Sequence, residues 1–206
     1  MKIVLATRNA GKIAELRRIL DGFDIVGLEE FPSIGEVAET GVTFEENALL
    51  KAHAVAQGSG LPAVADDSGL CVDVLNGMPG VFSARWAGRH GDDQANLELL
   101  LAQVSDVPED KLTAHFACAA ALALPSGEHR VASGTLPGRL IRTPRGTNGF
   151  GYDPILVPEG EERTTAEMAP EEKDAISHRG RAFRALAPHG RNPPHHLTPH
   201  PSCSRR

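Results

Sequence analysis

The hydrophobic pattern at the start of the chain changes from a continuous apolar run to a helical repeat. Residues 2–6 are mostly apolar and β-branched, which predicts a short buried strand. After a loop over residues 7–11, apolar side chains recur three or four positions apart up to Leu20, and this spacing predicts a helix that stops at Asp21-Gly22. The predicted helix turns its charged residues away from the core: Lys12, Glu15, Arg17 and Arg18.

A capping signal starts the second predicted helix. Thr43 and Glu46 fit the S/T-x-x-E capping box, in which each side chain accepts a hydrogen bond from the backbone at the helix start. An apolar stripe follows as far as Gly58, so we expect a helix that packs one face on the core. Between the first two helices, residues 24–28 predict a short strand and residues 29–41 a loop.

Two acidic residues separate the next two predicted strands. Residues 61–65 form an apolar run, and the Asp-Asp-Ser-Gly segment over residues 66–69 interrupts it. The alternating pattern resumes over residues 70–75, which predicts another strand before a turn that contains proline and glycine. We therefore expect the acidic pair to lie in a loop between two strands.

The remaining patterns define the fold class. They predict a helix over residues 92–104, two long strands over 113–124 and 129–141 joined as a hairpin, a brief strand over 155–157, and one or two helices over 164–186. Strands mixed with helices indicate an α/β fold, which we assign to a single domain of residues 1–187. Residues 188–206 have almost no apolar side chains, so we expect a flexible tail with four histidines.

Composition and charge fit one globular unit. Of the 206 residues, 41% are hydrophobic and 23% are charged, which are ordinary values for a chain that buries a core. The formal net charge of −6 gives no overall field that attracts nucleic acid or an anionic membrane, so we expect neither as a partner. The first apolar run is too short for a signal peptide, and three widely spaced cysteines indicate no disulfide scaffold. These features predict a cytoplasmic protein.

The predicted strand-loop-helix junction at residues 7–12 is suited to a phosphate group. The backbone N–H groups and the positive end of the helix dipole converge at such a junction. The segment contains one glycine, and Ile13 stands where a Walker P-loop has its magnesium-binding hydroxyl, so this is not a P-loop. From these residues alone, Lys12 is either a phosphate ligand or a surface lysine in an ordinary turn.

Asp66 and Asp67 are the leading candidates for acid–base or metal chemistry. Carboxylates beside an apolar strand cost free energy unless they are paired or bound to metal. Neighbouring side chains of an extended backbone point to opposite faces, so one aspartate can meet a metal or water while the other anchors the loop. An Asx-type turn with Ser68 and Gly69 is the alternative. Glu39 is either a second ligand for Mg²⁺ or a solvated acid.

Three further groups are placed to contact a ligand. Phe150 lies between two glycines and either stacks on a flat ligand or plugs the core. Asn47 and Lys51 share a helix face, which presents an amide and an ammonium to a polyphosphate or leaves the lysine in solvent. Ser177 fits a helix N-cap, and Arg179 just after it can donate to a ligand carbonyl.

Seven ordered motifs together resemble one enzyme family. They are residues 7–16 (TRNAGKIAEL), 39–41 (ETG), 44–48 (FEENA) with Lys51-Ala52, 65–70 (ADDSGL), 79–85 (PGVFSAR), 149–154 (GFGYDP), and Lys173 with 177–180 (SHRG). Collinear motifs are far more specific than any one of them. The chain resembles the inosine triphosphate pyrophosphatases over about residues 1–187. That family hydrolyses non-standard purine nucleoside triphosphates such as ITP, dITP and XTP.

The resemblance implies a fold, a cofactor and an assembly. It implies an elongated α/β fold with a long mixed β-sheet, flanking helices, and two lobes around a central nucleotide cleft, in a homodimer. Glu39 and Asp67 are then the Mg²⁺ ligands, Asp67 is the candidate to activate water, and Asp66 is the candidate to share either role. Lys12 and Lys51 offset the charge of the departing pyrophosphate.

The same resemblance implies which residues contact the substrate. Those expected to hold the phosphates are Thr7, Arg8, Asn9, Ala10, Gly11, Lys12 and Ser68. Those expected to surround the sugar and base are Phe150, Gly151, Tyr152, Asp153, Lys173, His178 and Arg179. The sequence leaves two other hypotheses of function open. One is a related pyrophosphatase for modified pyrimidine or methylated nucleotides, and the other is a catalytically silent nucleotide- or RNA-binding module.

Overall fold

The computed structural model describes residues 2–191, with the side chains of residues 2–187, as a seven-stranded sheet flanked by helices. The strands are β1 (Lys2–Leu5), β2 (Asp24–Val26), β3 (Ala63–Val72), β4 (Met78–Pro79), β5 (Thr113–Ala123), β6 (His129–Leu140) and β7 (Leu156–Pro158). Their order across the sheet is β2-β1-β3-β5-β6-β7, and β4 pairs with β3 off this path. Strand β1 runs parallel to β2 and β3, whereas the other pairs are antiparallel. The sheet is therefore mixed, and the predicted fold class is confirmed.

Five α-helices connect and cover these strands in the described part of the chain. They are α1 (Ala10–Ile19), α2 (Phe44–Ser59), α3 (Asp93–Gln103), α4 (Pro170–Ile176) and α5 (His178–Arg191). Each helix falls where the apolar spacing predicts one. Thr43 caps α2 as predicted, because its side chain accepts from the N–H of Glu46 at 3.2 Å. Glu46 in turn accepts from Val42 at 2.7 Å, one residue before the partner that a capping box uses.

The core lies on both faces of the sheet and alternates residue by residue along β3. Ala63 and Ala65 pack with Ala52 of α2 on one face. Val64 packs with Phe183 of α5 on the other face. The far half of β3 belongs to a third cluster that includes α3, β7 and the end of β6. Asp66 and Asp67 thus lie where β3 passes from the first two core clusters to the third.

The predicted loop at residues 66–69 is wrong, because β3 continues through it. Asp66 pairs with Ala120 and Asp67 with Ala119 in one antiparallel register with β5. The ladder continues because groups from elsewhere in the fold pair with the buried carboxylates: Lys12 and Arg179 with Asp66, and Asn47 with Asp67. The strand then ends at Val72, and residues 73–75 form a short 3-10 helix where the prediction continues the strand.

Two other features differ from the predictions: the burial of Glu15 and the end of the last helix. Glu15 is buried, with 5% of its surface exposed, so it does not lie on the solvent face of α1. Its carboxylate pairs with Lys173 of α4 and Arg179 of α5. Helix α5 continues to Arg191, past the predicted start of the tail, and residues 192–206 lie outside the described residues. None of the helices within residues 2–191 is long and apolar enough to cross a membrane.

Candidate active site

A cleft of about 710 Å³ opens beside the middle of β3, a volume typical of small-molecule sites. Its walls come from the start of α1, the loop before α2, β3, the 3-10 helix at Gly80–Arg85, the loop before β7, and the start of α5. The predicted site residues that line it are Thr7, Arg8, Asn9, Lys12, Glu39, Lys51, Asp67, Ser68, Phe150, Gly151, Tyr152, Asp153, Lys173, His178 and Arg179. The structure therefore brings most of the sequence-predicted residues together at one cavity.

The start of α1 presents a capped helix end to the cleft. Asn9 is the N-cap, and its side chain accepts from the N–H of Lys12 at 3.0 Å. Thr7 accepts from the N–H of Asn9 at 3.2 Å, which tightens the turn. Ala10 and Gly11, which are also predicted to hold phosphate, are not among the described residues that line the cleft. Gly11 instead allows Phe150 to approach, since a Cβ there would lie 2.7 Å from its ring.

Asp66 lies on the α1/α5 face of the sheet and is paired with two cations. Its Oδ2 is 3.1 Å from Nζ of Lys12 and 3.2 Å from Nε of Arg179, and it accepts from Ser68 Oγ at 3.2 Å. Burial opposes its ionisation, but the charges of Lys12 and Arg179 outweigh it and hold the pKa well below the usual value. Asp66 does not line the cleft, so it acts as a buried counter-ion.

Asp67 lies on the opposite face, toward α2, and lines the cleft. Nδ2 of Asn47 donates to its Oδ2 at 3.0 Å, and Nζ of Lys51 lies 3.7 Å from its Oδ1. Burial raises the pKa of Asp67, the charge of Glu39 adds to that rise, and Lys51 and Lys12 reduce it only in part. A carboxyl with a raised pKa on the cleft wall is suited to accept a proton.

Glu39 and Asp67 share one cation, and this arrangement tests the predicted Mg²⁺ site. Nζ of Lys51 is 2.5 Å from Glu39, and Arg85 lies 3.9 Å from the other oxygen of Glu39. Burial of Glu39 opposes ionisation, but Lys51 outweighs it and lowers the pKa of Glu39. Groups of three or more acidic, histidine or cysteine ligands are absent from the described residues. Two cleft-facing carboxylates that already attract a cation fit Mg²⁺, which uses one or two carboxylates plus substrate phosphate.

A layer of buried ion pairs lies beneath the cleft. Lys173 bridges Glu15 at 2.8 Å and Asp153 at 2.6 Å. Arg179 uses each of its nitrogens, because Nε meets Asp66, Nη1 meets Glu15, and Nη2 donates to Ser68 at 2.7 Å. Burial lowers the pKa of Lys173 and Arg179 less than these carboxylates raise it, so both side chains stay charged. The layer fixes two cations at the floor of the cleft.

The loop before β7 places one aromatic ring over those cations. The ring centroid of Phe150 is 5.3 Å from Nζ of Lys173 and 5.7 Å from the guanidinium carbon of Arg179. The loop is held by Asp153, which accepts from the N–H of Phe150 at 2.9 Å, and by the N–H of Gly151, which donates to Asp93 at 2.9 Å. Phe150 is therefore fixed at the wall of the cleft, which it lines.

Two of the residues predicted for the base pocket have different surroundings. Tyr152 belongs to the core, and its hydroxyl donates to the carbonyl of Ser83 at 2.9 Å, so its contact with substrate stays a prediction. His178 stacks on Phe116 with ring centroids 4.9 Å apart. Burial, reinforced by the charges of Arg179 and Lys173, lowers the pKa of His178 well below its usual value, so the ring is neutral.

Sequence reasoning missed several residues of the cleft and its floor. Arg85, His90 and Asp93 line the cleft although they carry no predicted role. Glu15 is predicted to face solvent, yet it lies three residues after Lys12 and so shares its helix face. That spacing is a signal that could have found it. Arg85 ends the motif at residues 79–85, which is a signal that could have found it, whereas nothing in the local pattern around Asp93 separates it from ordinary surface charges.

Comparisons with known proteins agree with the motifs and the fold. The family model described as the Ham1 family matches residues 3–189. A dITP/XTP pyrophosphatase of Streptomyces coelicolor is 69% identical over 191 residues, which cover 91% of this chain and 96% of that protein. A crystal structure of a nucleoside-triphosphatase / dITP/XTP pyrophosphatase from Mycobacterium abscessus superposes with a TM-score of 0.74 at 58% identity, over 91% of this chain and 100% of that one. The structure of the Staphylococcus aureus Ham1 protein superposes with a TM-score of 0.82 at 39% identity, over 93% of this chain and 100% of that one. The relationship predicted from the motifs is confirmed, and this chain belongs to the Ham1 family.

Proposed function

We propose that this protein hydrolyses non-standard purine nucleoside triphosphates, namely ITP, dITP and XTP, to the nucleoside monophosphate and pyrophosphate. The observation that carries the proposal is Asp67, a cleft-facing carboxyl with a raised pKa that lies between Asn47 and Lys51 and beside Glu39. The relatives named dITP/XTP pyrophosphatase support the substrate class. Such an enzyme removes damaged purines from the nucleotide pool.

Glu39 and Asp67 would hold Mg²⁺ in this proposal. When bound, the ion polarises phosphate oxygens and offsets their charge. Lys51 now shares its ammonium between both carboxylates, at 2.5 Å and 3.7 Å. A divalent cation at the carboxylates would compete with that contact and leave Lys51 to meet the phosphates.

The protein's own residues would carry the proton and the charge. The α1 N-terminus and Ser68 bind phosphate oxygens through N–H and O–H donors. Asp67 takes a proton from water as the water oxygen bonds to the α-phosphorus and the bond from that phosphorus to the bridging oxygen breaks. Lys12 and Lys51 balance the negative charge that pyrophosphate carries away.

Base recognition would come from the ring of Phe150 and the donors behind it. Phe150 lines the cleft, and its ring would stack on a purine there. Arg179 can only donate, which favours the 6-oxo group of hypoxanthine and xanthine over the 6-amino group of adenine. The neutral His178 ring lines the same wall, and its Nδ1 has no hydrogen-bond partner among the described residues. A purine edge that meets Arg179 there would also lie against the His178 ring, whose Nδ1 atom is buried.

Pyrophosphate release from ITP, XTP, GTP and ATP, each with Mg²⁺ and with EDTA, tests the proposal. Fast turnover of ITP and XTP that EDTA abolishes is the expected result. If modified pyrimidine nucleotides, tested in the same assay, were hydrolysed instead, the hypothesis of a related pyrophosphatase would be favoured. Nucleotide binding without turnover would favour the binding-module reading. A homodimer and a cytoplasmic location are part of the same proposal, and light scattering of the purified protein checks the former.

A further inference from the structure

We propose that His53 and His129 form a binding site for a first-row transition-metal dication, separate from the cleft. Nε2 of His53 lies 3.2 Å from Nδ1 of His129. The two rings are nearly perpendicular, at 83°, with centroids 5.0 Å apart. Neither histidine is among the residues that line the cleft. The pair is therefore a feature that the proposed nucleotide chemistry does not use.

The distance between the two nitrogens matches the distance between two imidazole nitrogens that bind one metal ion. Zinc–imidazole bonds are about 2.0–2.1 Å long, so two ligands at a tetrahedral angle place their nitrogens roughly 3.4 Å apart. At a right angle, the same bonds place them about 2.9 Å apart. The observed 3.2 Å lies between these values. A dication can replace the shared proton after small rotations of the two rings.

The backbone around the pair is held in place at two points. Ser133 of β6 donates to Glu45 of α2 at 3.2 Å, and the histidines meet at the other end. Eight residues of helix from Glu45 to His53 advance about 12 Å. Four residues of strand from Ser133 to His129 advance about 13 Å. The two segments therefore have nearly the same length, so α2 and β6 stay side by side from the Glu45–Ser133 contact to the His53–His129 contact.

The packing behind each element makes this frame rigid. Ala52 and Ala56, beside His53 on α2, are fully buried against the sheet. His129 pairs with Ala123 of β5 in the long hairpin. The site is thus built on a helix and a strand rather than on a loop. Because His129 is exposed and His53 half-buried, water can complete the coordination shell.

The donor set determines which ions can bind. Imidazole nitrogens suit Zn²⁺, Ni²⁺ and Cu²⁺, whereas Mg²⁺ prefers oxygen. The histidine pair and the carboxylates Glu39 and Asp67 would therefore select different metals. A bound ion would tie α2, which carries Lys51 to the cleft and Asn47 to Asp67, to the start of β6.

Thermal unfolding of the full chain with Ni²⁺ or Zn²⁺ tests the site. All samples contain excess Mg²⁺, so that oxygen ligands are already occupied. Metal at 100 times its Kd is expected to raise the unfolding midpoint by about 5–10 °C. His53→Gln and His129→Gln are each expected to abolish that rise. His115→Gln, on β5, is the matched control and should keep it.

The tail histidines are a second source of metal binding and need their own control. A variant with His189, His195, His196 and His200 changed to Gln should keep the full rise, and its Cu²⁺ spectrum should show hyperfine coupling to two imidazole nitrogens. No rise in that variant, or a full rise in both His53→Gln and His129→Gln, would overturn the proposal. Circular dichroism confirms the fold of each variant, and His129→Gln, at an exposed strand start, carries the test if His53→Gln does not fold.

Discussion

Asp66 and Asp67 are adjacent on β3, yet their side chains lie on opposite faces of the sheet and have opposite pKa shifts. Asp66 meets Arg179 and Lys12 on the α1/α5 face, and its pKa is lowered. Asp67 meets Asn47 of α2 on the other face, and its pKa is raised. The alternation of a continuous strand separates them. One carboxyl therefore serves as a fixed anion and the other as a proton acceptor.

Asp67→Asn should reduce kcat with ITP by about 100- to 10,000-fold, because the amide cannot accept a proton from water. The variant keeps the size of the side chain and loses only its charge, so its fold should remain. Asp73→Asn is the control, since this exposed residue just after the same strand accepts from Thr113 Oγ1 at 2.6 Å and is not among the residues that line the cleft. Steady-state pyrophosphate release measures both. Near-normal turnover of Asp67→Asn would contradict the assigned role.

Stability at acid pH should depend on Asp66. Its pKa is lowered in the folded protein, so the ionised form stabilises the fold above the unfolded pKa, near about 4, and that stabilisation is lost as pH falls below it. Each pH unit below that point costs about 1.4 kcal/mol through this one group. In urea unfolding between pH 5 and 2.5, the free energy of unfolding should therefore fall more steeply with decreasing pH for the wild type than for Asp66→Asn. Equal slopes would show that Asp66 is not the group responsible.

Arg179→Lys should be strongly destabilising although it keeps the charge. The guanidinium spreads its contacts over Asp66, Glu15 and Ser68 through three different nitrogens, and one ammonium cannot reach all three. Leaving a buried carboxylate without its partner costs about 3–5 kcal/mol. Urea unfolding at neutral pH measures the loss. Arg181→Lys, on the same helix, is the control, because its exposed side chain makes one bond to the carbonyl of Thr135. Equal losses in both variants would contradict the argument.

Local patterns were sufficient for the helices and most strands, but not for the continuity of β3 or for the buried charges. The N-cap role of Ser177 is confirmed by its bond to the N–H of Gly180 at 2.9 Å, and the opposite faces of Asp66 and Asp67 follow from strand alternation. The continuity of β3 could not be predicted from its own residues. It depends on Arg179, 113 positions away from Asp66.

The same limit explains the wrong prediction for Glu15. An acid on a helix with other charges ordinarily faces solvent. Glu15 is buried because Lys173 and Arg179 reach it from 158 and 164 positions away. Helical spacing gives the direction of the side chain but not what the rest of the chain brings to it. Pairing over such separations is set by the tertiary fold, which a single sequence pattern does not encode.

Phe150 and Tyr152, two residues apart in one loop, should respond to mutation in opposite ways. Phe150 is half-buried and lines the cleft, so Phe150→Ala should remove a stacking surface worth about 1–3 kcal/mol and raise KM for ITP by roughly 5- to 150-fold. Tyr152→Phe removes only the hydroxyl that donates to Ser83. Its loss leaves a buried carbonyl unsatisfied, which should lower the free energy of unfolding by about 1–3 kcal/mol with KM unchanged.

Paired measurements of KM and of urea unfolding on both variants separate binding from stability. The structure places the Tyr152 ring in the core beside Leu156 and its hydroxyl on the backbone of Ser83, with the loop itself held by Asp153. A change in KM for Tyr152→Phe as large as that for Phe150→Ala would mean that the hydroxyl meets the substrate. In that case the base would have to reach deeper into the cleft than the ring of Phe150, and the sugar or base contact predicted for Tyr152 would be the correct assignment.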